Sequence, residues 1–204
     1  MTVNHSQVDN RTASKPSSSD GINHEKARRG TRLLLEAIGE NPDEGALAET
    51  WQRRVPDTLE SLTEGTRDTE KPTLRTFEAT NDEMVVKTGI PIYSLCEHHL
   101  LPYHGVAHVA YRPTDGVVGL SKLPRYVRWQ ARKLTMQEEL TQDIAEGLKT
   151  EIGAAAVFVE ITATHLCEAM RGVETATKTT TVATAGEASE QDRSQFERAI
   201  GNYD

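Results

Sequence analysis

From residue 84 onward the apolar pattern of the chain repeats every second residue, and no other feature limits the fold as much. EMVVKTGIPIYS and GVAHVAYRP both read as strands. Two helical stretches follow, SKLPRYVRWQARKL and TMQEELTQDIAEGLK. The second sets Met136, Leu140, Ile144 and Leu148 on one stripe at steps of four, and Thr135 and Glu138 at its start have capping-box spacing. AAVFVEITATHLC, rich in Val, Ile and Thr, predicts a third strand, VETATKTTTVATAG a fourth, and RSQFERAI a short closing helix. Strand, strand, helix, helix, strand, strand is the order of an α+β domain with its helices on one face of an antiparallel sheet.

The part before this core is different. Residues 1–23 are polar, with almost nothing to bury, and predict a disordered tail. Residues 24–70 form an N-terminal helical region. Leu33, Leu34, Leu35 and Ile38 lie on one helical repeat, and a second helix over ALAETWQRRVPDTLESLTEG is interrupted by Pro56. TRDTEKPT reads as a linker, and residues 71–204 make up the remaining domain.

Charge and composition exclude several classes. A formal net charge of −8 argues against a nucleic-acid binder. No apolar run is long enough to span a membrane, and the first twenty residues lack the apolar stretch of a secretory signal. Two widely separated cysteines make no disulfide framework, so a reduced, cytoplasmic setting is expected.

Both cysteines nevertheless have histidine neighbours. In SLCEHHLLPY, Cys96 and His99 at i and i+3 share one side of a helical turn, while His98 points elsewhere. In ATHLC, His165 and Cys167 at i and i+2 share one face of a strand. Two short pairs on separate elements can meet at one point. A Cys2His set is a catalytic zinc arrangement with a fourth position left open, whereas closed structural sites supply four protein ligands. Each cysteine alone would read as a small buried hydrophobe. Three of seven histidines gathered at both cysteines favour a metal, and thiolate with imidazole favours Zn2+. His98 and His165 are then candidates for proton transfer.

A second local signal is basic. GLSKLPRYVRWQARKL holds five cations and no acid. Lys122 and Arg125 open a helix, where the dipole also attracts anions, and Ser121 can cap that helix or meet a phosphate. Arg128, Arg132 and Lys133 read instead as a solvated face. Arg171, four residues past Cys167, adds a cation near the metal pair. No Walker or Rossmann fingerprint accompanies them.

Together LLLEAIGENPD, SLCEHHLLPYHG, VVGLSKLPRYV, QEELTQDIA and ATHLCEAMRGV followed by KTTT resemble the GTP cyclohydrolase I family over roughly residues 30–185. The resemblance implies a tunnelling fold and a ring-shaped homo-oligomer, typically a decamer, with active sites between subunits. It implies that Cys96, His99 and Cys167 hold zinc and that His98 and His165 are catalytic, His165 protonating N7 of the purine. It further implies that Lys122, Arg125 and Arg171 hold the triphosphate of GTP and that Glu138 pairs with guanine N1 and the 2-amino group. Ser121 and Gln137 match positions near the ribose. The implied reaction opens the guanine ring at C8, releases formate and, after rearrangement of the ribose, yields dihydroneopterin triphosphate. Pro124, Tyr126, Trp129 and Gln130 are less usual in their segment.

Three other classes remain to compare. A zinc deaminase would need H-x-E followed by P-C-x-x-C, which the chain lacks. A deazaguanine-modifying relative of the same fold would use a cysteine as covalent nucleophile and bind no zinc. A non-catalytic zinc-stabilised scaffold would need a fourth protein ligand and gives no reason for the cations.

Overall fold

A computed structural model of the chain describes residues 21–201. The tail expected over 1–23 lies, except for its last three residues, outside them. Helix α1 (His24–Ala37) starts at Asn23, whose side chain accepts from the Lys26 N–H at 2.8 Å, a regular N-cap. Its apolar stripe is not a core face, because Leu33, Leu34 and Ile38 are all exposed. The second helix is split. Helix α2 (Leu47–Glu49) passes through a π-helical segment, Thr50–Arg54, into α3 (Val55–Leu62). Pro56 has no N–H for the Gln52 carbonyl, and that carbonyl accepts from Arg28 Nε at 2.7 Å instead. The last residues of the expected second helix run into a 3-10 turn, Glu64–Thr66, and the stretch read as a linker contains another, Asp68–Glu70.

Strand β1 (Thr76–Glu78) makes a small separate ribbon with β4 (Gly116–Val118) that periodicity did not announce. The main sheet holds β2 (Val85–Cys96), β3 (Pro102–Arg112), β6 (Ala156–His165) and β7 (Thr179–Gly186), all antiparallel in that order. A two-residue strand β5 (Leu134–Thr135) joins the outer edge of β2 in parallel. Helices α4 (Lys122–Ala131) and α5 (Gln137–Ile152) lie between β3 and β6 in sequence, so the order that the resemblance implied for a tunnelling fold is present. The chain closes through α6 (Leu166–Ala169), β7 and α7 (Glu190–Gly201). The last strand starts at Thr179, six residues later than expected. Before it, Gly172 and Glu174 at φ 70° and 54° keep the backbone out of an extended form.

Helices α4 and α5 bury one sheet face through Leu123, Val127, Leu140, Ile144 and Leu148 against Ile92, Tyr103, Val109, Val159 and Ile161. Helix α7 covers one end of the other face, where Phe196 stacks on Phe158 with centroids 5.6 Å apart. The unusual residues of α4 serve this packing. Tyr126 and Trp129 are buried, Gln130 Nε2 donates to the Tyr126 hydroxyl at 3.0 Å, and Trp129 Nε1 donates to the Arg67 carbonyl at 3.3 Å.

A bulge decides which side chains of β2 face the helices. Lys87 pairs with Val109 but Ile90 pairs with Ala107, so Thr88 and Gly89 share one partner position, with Gly89 at φ 67°. Val85 faces the helix side before the bulge, and Ile90, Ile92, Ser94 and Cys96 face it afterwards. One inserted residue therefore carries Cys96 onto the covered face.

Gly105 marks the tightest strand contact near this end. A Cβ there would meet the Thr162 carbonyl and sit 2.6 Å from the Ala163 Cα, both backbone of a central strand. Gly105→Ala is expected to destabilise by about 1–3 kcal/mol, read as a lower Tm by calorimetry. An unchanged Tm would show that β3 and β6 can separate without cost.

Candidate metal centre and active-site cleft

Sheet register gathers the site. Ser94 pairs with Tyr103 and Tyr103 with His165, while Cys96 pairs with Thr135 of β5, two residues before α5 begins at Gln137. The ends of four strands and one helix therefore meet at one corner of the covered face.

Cys96 is the buried last residue of β2. The chain reverses at once. The His99 and Leu100 N–H groups donate to the Cys96 carbonyl at 3.3 and 2.8 Å, and Leu100 takes φ 57°. This single turn brings His99 Nδ1 to 3.7 Å from Cys96 Sγ. The ring of His98 stands edge-on to that of His99, 84° between planes, and His98 is not among the converging ligands.

Cys167 reaches the site differently from the strand geometry expected of it. Strand β6 ends at His165, and Cys167 lies in the first turn of α6, where the Met170 N–H returns to the Leu166 carbonyl at 3.0 Å. His165 and Cys167 therefore do not share a strand face. The sulfur still converges, and one ligand atom from each of Cys96, His99 and Cys167 lies within 4.8 Å of the others. Two thiols and an imidazole at this spacing fit a borderline-soft cation such as zinc. Burial pushes the Cys167 thiol pKa up, and the Cys96 thiol beside it pushes further. Two thiolates at close range repel, and a bound cation would reverse that penalty.

The cleft around these ligands also holds His98, Gln137, Glu138, His165 and Glu168. Burial lowers the pKa of His165, with the Glu138 and Glu168 carboxylates working against it. The capping box does not form. Met136 is the N-cap of α5, the Thr135 hydroxyl donates to the Met136 carbonyl at 3.1 Å, and Glu138 stays exposed at the cleft. Gln137 is 1% exposed, and its amide is engaged with protein groups on both sides.

Ser121, Lys122, Arg125 and Arg171 do not line this cleft. Ser121 precedes α4 without a side-chain cap bond. Among the described residues, none of the three cations makes an ion pair. Two residues of the corner escaped sequence reasoning. Tyr103 stacks on His165 at 4.6 Å with 13° between rings, and Glu168 accepts from the Thr177 hydroxyl at 2.9 Å. Only the strand register could have placed Tyr103, because it looks like an ordinary inward strand residue.

An α+β chain whose cleft joins a Cys–His–Cys set to two carboxylates and two further histidines belongs, as a class, with candidate metal-dependent enzymes. Residues 27–201 match the GTP cyclohydrolase I family, and the chain belongs to that family. It is 48% identical over 166 residues to GTP cyclohydrolase 1 of Hyperthermus butylicus, covering 81% of this chain and 84% of that one. It is 50% identical over 152 residues to GTP cyclohydrolase 1 of Campylobacter jejuni subsp. jejuni, covering 74% and 80%. The Chlorobaculum tepidum GTP cyclohydrolase 1 is 45% identical over 175 residues, covering 83% and 78%.

Proposed function

We propose that this chain is a zinc-dependent GTP cyclohydrolase I, converting GTP to formate and 7,8-dihydroneopterin triphosphate. The observation that carries this reading is the convergence of Cys96, His99 and Cys167 within 4.8 Å at a cleft that also holds His98, Glu138 and His165. Bound zinc supplies the activated water needed at guanine C8. Glu138 accepts from guanine N1–H and the 2-amino group, which orients the base and discriminates against adenine. His98 moves protons at the attacking water, and His165 takes up a proton that this water gives up and delivers it to N7 as the ring opens. Lys122, Arg125 and Arg171 bind the triphosphate, with Ser121 beside the ribose.

The separation of Lys122 and Arg125 from the cleft fits a homo-oligomer in which neighbouring copies complete each site. The exposed apolar face of α1 and the edge strand β7, with Val182 exposed, favour the same reading. A decamer is the assembly expected, in the cytoplasm. Among the described residues no helix is long and apolar enough to cross a membrane.

Incubating metal-replete protein with GTP is expected to yield formate and, after oxidation, a fluorescent neopterin. Absence of both would overturn the reading. Lys122→Ala and Arg125→Ala should each raise the KM for GTP about 10–100-fold, from the loss of a charge-assisted contact. If a neighbouring copy supplies these cations, co-assembling Lys122→Ala with His165→Ala subunits should restore, at GTP well below the raised KM, part of the activity that each loses alone. No restoration would place both residues in one subunit's site.

A further inference from the structure

We propose that Gln137 is a positioning residue that holds His165 in one tautomer, with its ring proton on Nε2 and Nδ1 left to exchange protons with the substrate. This rests on the reading in which His165 serves N7.

The proton positions follow from groups that can only accept. The Gln137 side-chain nitrogen lies 2.9 Å from the Ile161 carbonyl, 2.9 Å from the Thr179 carbonyl and 3.1 Å from Thr181 Oγ1. Backbone carbonyls have no proton to give, so the amide NH2 must face them and its orientation has no alternative. The threonines agree with that assignment. Thr141 donates to the Gln137 carbonyl at 2.7 Å, so the hydrogen between the Thr141 and Thr181 hydroxyls, 2.6 Å apart, comes from Thr181. Thr181 is thereby free to accept from the Gln137 amide.

The other end of the amide is then an acceptor. Gln137 Oε1 lies 2.7 Å from His165 Nε2, and a carbonyl oxygen at that distance requires a hydrogen on the ring nitrogen. Of the two single-proton tautomers this selects the one with its lone pair on Nδ1, which makes no hydrogen bond among the described residues. Tyr103, fully buried, fixes the ring plane by stacking on it at 4.6 Å. Hydrogen bond and stack together leave the imidazole neither a flip nor a tautomer change. Gln137 is thus a support for His165, and its amide has no spare donor for a ribose hydroxyl.

The test uses the metal-loaded, full-length enzyme with 13C,15N-labelled histidine, studied by magic-angle-spinning NMR, with the His165 signals assigned by difference from His165→Asn. Wild type is expected to show a protonated Nε2 and an unprotonated Nδ1. The reverse pattern, or a mixture, overturns the proposal without any support variant being needed. Gln137→Met should give a tautomer mixture, lower kcat about 10–100-fold and leave KM within about twofold, with metal content unchanged. Gln137→Glu returns an acceptor oxygen to Nε2 and should keep the Nε2–H signal. A raised KM with the wild-type tautomer in Gln137→Met would mean a ribose contact and overturn the proposal. Wild type with Nε2–H but no product from GTP would defeat the reading of function and leave the positioning role standing.

Discussion

Replacing His99 with alanine is expected to release the metal and end turnover, while replacing its neighbour His98 should leave the metal bound and the enzyme slow. Both histidines are exposed and adjacent, so only geometry separates them. His99 Nδ1 stands 3.7 Å from Cys96 Sγ inside the converging set, while the His98 ring is turned by 84° and lies outside it. Losing one of three protein ligands removes the activated water as well as the affinity. That is a change of several kcal/mol in the barrier, or roughly a thousandfold or more in rate. Losing a proton-transfer group costs about 10²–10⁴-fold. Rates alone therefore overlap, and the deciding measurement is metal content per subunit by atomic emission beside formate release. His98→Ala protein without metal, or His99→Ala protein with a full complement, would reverse the assignment.

Asp192→Ala should lower stability by about 3–5 kcal/mol. The Asp192 side chain is 4% exposed and pairs with Arg112 of β3, itself only partly exposed. Its second oxygen accepts from the Ser189 N–H at 3.0 Å and the Ser189 hydroxyl at 2.7 Å, and Ser189 Oγ in turn accepts from the Asp192 N–H at 3.1 Å. One carboxylate thus ties α7 to the sheet and caps its first turn. Its removal leaves Arg112 with only the Asp82 carbonyl at 3.1 Å and the exposed Asp82 carboxylate at 4.0 Å, and leaves Ser189 without its partner. For a chain of this size the expected fall in Tm is about 6–20 °C, measured by calorimetry on metal-loaded protein. A fall under about 2 °C would mean that Phe196 on Phe158 and its neighbours dock α7 without the ion pair.

Much of the site was legible because its chemistry sits in short local pairs. Cys96 with His99 needed only one helical turn, and the turn is there. His165 and Cys167 do line one cleft, but not from one strand, since two residues cannot reveal that a strand ends between them. The capping spacing of Thr135 and Glu138 misled for a similar reason. Residue types permit a box, but the extended backbone at Met136 moves the cap by one position and leaves Glu138 to the cleft. The leucine stripe of α1 had the right period and no core to face, because period does not say what lies opposite.

By itself the sequence determined the order of the four long strands and the two helices between them, the α+β class and the residue types of the candidate ligands, all of which depend on near neighbours along the chain and on residue type. Tertiary structure alone decided three other things. A one-residue bulge before Ile90 turned Cys96 onto the helix-covered face, a parity that no count of alternating residues predicts once it slips. Antiparallel register laid Tyr103 against His165. The start of α5 brought Gln137 to two backbone carbonyls of neighbouring strands, which set the direction of its amide and, through it, the proton on His165. Each depends on contacts between residues far apart in sequence, where backbone groups act as fixed donors and acceptors irrespective of the side chains that name them.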